Sequence, residues 1–131
     1  MMTSEKPAPE IVCLVDDDSA VLKSIGRLLA SDGFSARSFD KPKDFLAHVQ
    51  TNAVPLVVLD LLMGEMSGLE VQARIAAHSP HTRVIVITGR EDPKMKEEVL
   101  RAGAVAFFSK PFDDGQFLGA VRAALACRST E

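Results

Sequence analysis

The sequence predicts an α/β fold built on one five-stranded parallel sheet with helices packed on both faces. Three observations carry that prediction. Strand-like and helix-like segments alternate five times along the chain, three of the strand-like runs are apolar at every position, and the connections are long enough for crossover helices. At 131 residues the chain has room for one core and not for two ordinary domains.

The first run, Ile11-Val12-Cys13-Leu14-Val15, has no polar position, which suits a strand covered on both faces. Val21, Ile25, Leu28 and Leu29 then recur at i, i+4, i+7 and i+8. With Asp18 or Ser19 as N-cap and Gly33 as a stop, they mark an amphipathic helix. Phe34-Ser35-Ala36-Arg37-Ser38-Phe39 mixes polar and apolar residues, the pattern of a strand at a sheet edge. A short helix holding Phe45, Leu46 and Val49 follows. The cycle repeats with Leu56-Val57-Val58-Leu59, then Val84-Ile85-Val86-Ile87, then Ala104-Val105-Ala106-Phe107-Phe108. The helices after these carry Leu69, Ala73 and Ala76, then Met95, Val99 and Ala102, then Phe117, Val121, Ala124 and Leu125, the last stopping near Cys127. Placing the fully apolar first, third and fourth runs at the centre and the mixed second run at an edge gives the flavodoxin-like order 2-1-3-4-5 and disfavours a closed eight-unit barrel. The domain is expected over residues 11–127, with a loose proline-containing lead-in over 1–10 and a tail over 128–131.

Bulk properties narrow the function. Hydrophobic residues at 47% and charged residues at 25% match ordinary globular chains and not disordered or coiled-coil ones. Fifteen basic against eighteen acidic residues leave −3, so no charge excess points to nucleic acid or an anionic membrane. Two cysteines are too few for a disulfide framework, and neither an export signal nor a long apolar stretch is visible. A cytoplasmic location is expected.

In an open parallel α/β sheet, ligands bind beyond the carboxyl ends of the strands, at the switch point between strands one and three. The strand ends read Asp16-Asp17-Asp18, Asp60, Thr88-Gly89 and Ser109-Lys110-Pro111. Asp16, Asp17 and Asp60 at one site would repel each other and call for a cation, and hard oxygen donors call for a hard ion. Mg²⁺ keeps several waters and is commonly shared between carboxylates and phosphate oxygens, so a phosphoryl group is the expected guest. Phosphoryl transfer asks mainly for positioning and charge neutralisation, which Mg²⁺, the Lys110 ammonium and the Thr88 hydroxyl can supply. Asp60, alone at the end of the central third strand, is the candidate nucleophile through an aspartyl phosphate, leaving Asp16 and Asp17 to hold metal.

With these residues assembled, the chain resembles the receiver domain of two-component response regulators. The matching stretches are VDDD at residues 15–18, LDLLMGEMSG from Leu59, VIVITGR from Val84 and FFSKPF from Phe107, and the likeness covers about residues 11–127. Through VITGR, GAVAFFSKPF and SGLE it is most similar to receivers of the nitrogen-fixation transcriptional class. The resemblance implies that Asp60 accepts phosphate from a sensor histidine kinase or phosphotransfer protein, and that Asp16 and Asp17 form the acidic pair at Mg²⁺. It also implies the Leu62 backbone carbonyl as a further metal ligand, Thr88 as the hydroxyl that follows the phosphoryl group, Lys110 as the pairing amine, and a cis Lys110-Pro111 bond. Thr88 and Phe107 would form the switch, with a phosphorylation-dependent homodimer through the fourth helix, fifth strand and fifth helix. Two positions depart from the family pattern. Gly64 stands where proline is usual, which removes a fixed φ and predicts a freer loop, and Phe107 lacks the hydroxyl of a tyrosine switch.

Other features have plainer explanations. His78 and His81 flank Ser79-Pro80 at a helix end and read as surface residues. Lys94/Glu98 and Glu97/Arg101 are i,i+4 pairs, read as a solvated face or a partner surface. Phe107, Phe108 and Phe112 read as core or switch packing. The rival reading is an enzyme, a Mg²⁺-dependent phosphohydrolase with an aspartate nucleophile. Such enzymes usually carry an acid two residues after the nucleophile, where this chain has Leu62. The expectation is therefore a signalling domain that catalyses only its own phosphorylation and dephosphorylation. No helix-turn-helix segment follows the fifth helix in this sequence, so no direct nucleic-acid contact and no membrane contact are expected from it.

Overall fold

A computed structural model describes residues 10–64, 66–90 and 92–127. The expected lead-in, apart from Glu10, and the expected tail lie outside the described residues. Five strands, β1 (Ile11–Val15), β2 (Ser35–Phe39), β3 (Leu56–Asp60), β4 (Arg83–Thr88) and β5 (Ala106–Ser109), alternate with five helices. The helices are α1 (Ser19–Ser31), α2 (Pro42–Thr51), α3 (Gly68–His78), α4 (Pro93–Arg101) and α5 (Asp114–Cys127). The sheet order is β2-β1-β3-β4-β5 with every pairing parallel, as the run of apolar and mixed strands predicts.

Successive strand residues point to opposite faces, and the core divides accordingly into two layers. Cys13, Val15, Val57, Leu59, Val84 and Val86 face one way, against Phe45 and Val49 of α2, Val71 and Ile75 of α3 and Val99 of α4. Val12, Leu14, Leu56, Val58, Ile85 and Ile87 face the other way, against Leu22, Ile25 and Leu29 of α1 and Phe117, Val121, Ala124 and Leu125 of α5. Leu29, Phe45 and Phe117 are completely buried, each contributing roughly 1.5–3 kcal/mol of transfer free energy. β2 and β5, at the edges, are only partly covered.

Several boundaries differ from the expectation for local reasons. β2 begins at Ser35 and not Phe34, because the Phe34 N–H closes the end of α1 on the Leu29 carbonyl at 3.0 Å, with Gly33 in the left-handed region at φ 87°. β5 begins two residues late because Gly103 turns at φ 113° and the Ala104 N–H still caps α4 on the Val99 carbonyl at 3.1 Å. The Ala102 expected on α4 is its C-cap.

The apolar stripe of α3 is also corrected. Gly68, Val71, Gln72 and Ile75 are buried, whereas Ala73 and Ala76 are exposed and Leu69 is half-buried. Both stripes have helical spacing, but branched Val71 and Ile75 remove far more apolar area from water than two alanines. Among the described residues, no helix is long and apolar enough to cross a membrane.

Candidate functional site

β1 and β3 are neighbours in a register that pairs Val15 with Leu59, so the residues that follow, Asp16 and Asp60, emerge side by side at the carboxyl edge of the sheet. Asp16 is 2% exposed and Asp60 6%, while Asp17 is exposed. One carboxylate oxygen from each of the three lies within 4.8 Å of the others. Lys110, carried by the loop after β5, places its Nζ 3.4 Å from Asp16 Oδ2 and 3.7 Å from Asp60 Oδ1. The Lys110-Pro111 peptide bond is cis.

The backbone fixes these groups. Asp16 donates its N–H to the Phe39 carbonyl at 3.1 Å, and its Oδ1 accepts the Asp18 N–H at 2.9 Å. Asp18 in turn caps α1 by accepting the Ala20 N–H at 2.9 Å. The chain after Asp60 is pinned by the Leu61 N–H on the Ile87 carbonyl at 2.8 Å and by the buried Leu61 and Met63 side chains. The Gly68 N–H donates to the Leu61 carbonyl at 2.8 Å. A Cβ at Gly68 would stand 2.9 Å from Leu61 Cα and 3.0 Å from the Asp60 carbonyl oxygen, so only glycine lets α3 start this close to the loop.

Burial and like charge shape the electrostatics. Desolvation first, then the Asp16 charge, with Asp17 adding to them, pushes the Asp60 carboxyl up to about 6 against the pull of Lys110 and a hydrogen bond from the Leu62 backbone. Asp16 is also raised, chiefly by burial, against the Asp18 N–H and Lys110. A low-dielectric pocket with three carboxylates and one amine has a deficit of positive charge. Its donor set of hard carboxylate oxygens fits a divalent ion such as Mg²⁺.

The remaining expected residues lie on the same edge or beside it. Thr88 ends β4, is fully buried, and its hydroxyl oxygen accepts the Arg90 N–H at 3.2 Å. Its carbonyl accepts the Lys110 N–H at 2.7 Å, which ties the hydroxyl-bearing strand end to the lysine. Leu62 lies two residues beyond Asp60, with its side chain 52% exposed. Phe107 is half-buried on β5 opposite Val86 and packs on the α2–α4 layer, while Phe108 meets Phe112 at a tilt and Phe117 edge-on in the other layer. His78, which ends α3, and His81, between α3 and β4, are exposed and lie away from the carboxyl ends of the strands. On α4 the Glu97–Arg101 pair closes at 3.0 Å, whereas no ion pair joins Lys94 to Glu98 among the described residues.

Sequence reasoning misses the roles of two glycines. Gly68, just described, gives no signal beyond opening a helix. Gly64 reads in the sequence only as a lost proline, yet its N–H donates to Asp17 Oδ2 at 3.1 Å.

Known proteins share this arrangement of elements. The family model for the response regulator receiver domain matches residues 12–122. The response regulator protein TodT of Pseudomonas putida is 40% identical over 115 residues, covering 88% of this chain and 51% of that protein. The transcriptional regulatory protein FixJ of Azorhizobium caulinodans is 39% identical over 124 residues, covering 92% of this chain and 56% of that one. The chain thus spans about half the length of the curated relatives it matches. Among solved structures, the beryllofluoride-activated NtrC4 receiver domain dimer superposes with a TM-score of 0.86 at 27% identity, covering 91% of this chain and 98% of that one. The BeF3-activated DrrB receiver domain superposes with a TM-score of 0.81 at 30% identity, covering 90% and 98%.

Proposed function

The chain belongs to the response regulator receiver family, and on that premise we propose that residues 11–127 form a switch in which Asp60 accepts a phosphoryl group. The donor is a phosphohistidine on a sensor histidine kinase or phosphotransfer protein. One observation carries the assignment: Asp60 is a buried carboxylate at the end of a central strand, within 4.8 Å of two further carboxylates and 3.7 Å from an amine. An Asp60 oxygen bonds to phosphorus as the phosphorus–nitrogen bond of the donor breaks, and the electron pair of that bond stays on the imidazole nitrogen.

Asp16, Asp17, Asp60 and the Leu62 backbone carbonyl would hold Mg²⁺, which when bound offsets carboxylate charge and draws the phosphoryl oxygens into place. Lys110, already paired with Asp16 and Asp60, neutralises the oxygens that gain charge. The buried Thr88 hydroxyl follows the new phosphoryl group and passes the change to β4 and β5. Phe107 is the second switch residue. It lines a groove of about 660 Å³ between α4 and the β5–α5 junction with Lys96, Phe112 and Gln116. That face, α4, β5 and α5, is the surface proposed for a phosphorylation-dependent homodimer, and the activated relative solved as a dimer supports it.

The phosphohydrolase alternative is not favoured. An acid is wanted two residues after the nucleophile, and the residue there is Leu62, with no carboxylate. The domain's own chemistry is limited to gaining and losing its phosphoryl group.

Acetyl phosphate with Mg²⁺ supplies the test. The wild-type chain should gain one phosphoryl group, stable to acid and released by hydroxylamine, while Asp60→Asn gains none. With no tryptophan or tyrosine to quench, intact mass is the readout. An Asp60→Asn chain that takes up phosphate at the wild-type rate would overturn the assignment.

A further inference from the structure

We infer that Gly64 is a positioning residue for Asp17: its backbone N–H holds the one exposed carboxylate of the acidic cluster ready for a divalent cation. The inference deepens the proposed metal site and rests on it. Asp16 and Asp60 need no such help, because both are buried and gripped by Lys110, with backbone hydrogen bonds from Asp18 and Leu62. Asp17 lies in solvent, where a carboxylate would otherwise sample several rotamers. Its single hydrogen bond among the described residues comes from the Gly64 N–H at 3.1 Å, across 47 positions of sequence.

The donor is itself well placed. Leu61 and Met63, on either side of exposed Leu62, bury their side chains in the α2–α4 layer at 2% and 8% exposure. The Gly68 N–H clasps the Leu61 carbonyl. The loop therefore presents the Gly64 N–H from a fixed base. A hydrogen bond from a backbone N–H to an ionised carboxylate is one of the stronger kinds, and outer partners that orient a metal ligand commonly account for about 10–100-fold in affinity.

Proline at this position would abolish the bond, since it has no N–H. Alanine would keep it. Gly64 lies outside the left-handed region, and a Cβ there would meet nothing nearer than Asp17 Oδ2 at 3.8 Å, an ordinary contact. Alanine tests the loss of glycine with the N–H kept, and proline removes the N–H while also fixing φ, so the Gly64 amide shift in Asp17→Ala isolates the hydrogen bond itself.

Calorimetric titration with Mg²⁺ alone tests the inference on wild type, Gly64→Ala and Gly64→Pro, with circular dichroism to show that each is folded. Gly64→Ala should bind within about twofold of wild type and Gly64→Pro about tenfold more weakly or worse. The metal-free amide proton of Gly64 should sit downfield in a nitrogen–proton spectrum and move upfield in Asp17→Ala. That second measurement decides the matter if Gly64→Pro does not fold. A folded Gly64→Pro that binds as tightly as wild type, a Gly64→Ala as weak as Gly64→Pro, or a Gly64 amide indifferent to Asp17→Ala overturns the inference and leaves the metal site standing. A wild-type chain that binds no Mg²⁺ overturns the metal site and the inference together.

Discussion

Asp60→Asn deletes one charge from the acidic cluster while keeping its shape, and it should make the metal-free protein more stable. One carboxylate oxygen from each of Asp16, Asp17 and Asp60 lies within 4.8 Å of the others, so each pair repels by at least about 3 kcal/mol at an effective dielectric near 20. Lys110, at 3.7 Å from Asp60, returns about 4 kcal/mol on the same scale, and burial of the charge adds a further cost. The raised carboxyl gives an independent bound. Moving Asp60 from 3.8 up to about 6 corresponds to a ceiling of about 3 kcal/mol. Water and relaxation of neighbouring side chains reduce either figure, and we expect a gain of about 1–2 kcal/mol, or about 4–8 °C in Tm for a chain of this size.

The pH dependence follows from the direction of the shift. Between 3.8 and about 6 the folded chain holds a proton on Asp60 that the unfolded chain has released. Wild-type stability from this group therefore falls as pH rises through that window, and the full penalty stands above it. The Asn variant has no such penalty. Its advantage should be complete at pH 8 in EDTA, about half gone at pH 5 and largely gone near pH 4. It should also shrink when Mg²⁺ is added, because the ion stabilises the wild-type site by binding to the folded state alone. Calorimetric melts of both proteins at these pH values, with EDTA or Mg²⁺, give all the comparisons. An Asn variant less stable than wild type in EDTA at pH 8, or one whose gain ignores both pH and Mg²⁺, would refute the coupled cluster.

Two further substitutions separate the parts of the site. Thr88→Ala should leave phosphoryl uptake from acetyl phosphate within a few-fold of wild type, since the hydroxyl does not attack. It should weaken any beryllofluoride-induced shift toward dimer in sedimentation, and an undiminished shift would remove Thr88 from the switch. Gly68→Ala should lower stability by about 1–3 kcal/mol, because its Cβ would meet backbone at 2.9 and 3.0 Å and the start of α3 must retreat. An unchanged Tm would show that the loop after Asp60 yields freely.

The topology is readable because burial leaves a signature in composition. Strands covered on both faces cannot carry polar side chains, and β1, β3 and β4 have almost none before their last residue. The carboxyl edge is where the chain leaves the core, so Asp16, Asp60 and Thr88 mark it in the sequence. What cannot be read depends on differences too small or too local for periodicity. The α3 stripe fits helical spacing through either Leu69, Ala73 and Ala76 or Val71 and Ile75, and only packing against β3 and β4 chooses between them. Phe34 resembles a strand residue, yet its N–H serves the end of α1. The roles of Gly64 and Gly68 lie in a backbone donor and an absent Cβ, neither of which has a side-chain signature.

The three carboxylates of the cluster are therefore unequal in a way that residue type alone conceals. Asp16 and Asp60 are held inside the sheet edge, where desolvation raises both and Lys110 limits the damage. Asp17 stands outside, tethered by one loop amide. On the proposed metal site, an entering cation would meet two preset oxygens and one that must be kept from wandering. The cost of ionising Asp60 is thus governed by burial, by the Asp16 charge and by Lys110, whereas on the proposed metal site cation affinity is also sensitive to the loop after β3. Substitutions at Lys110 should consequently move the Asp60 titration, and substitutions at Gly64 should move Mg²⁺ affinity while leaving the metal-free Asp60 titration nearly where it was. Carbon-13 shifts of the Asp60 carboxyl, followed through pH in EDTA for Gly64→Pro and Lys110→Met, would separate the two. Equal displacement in both variants would mean that the loop and the lysine act on Asp60 as one unit and that the division drawn between them is wrong.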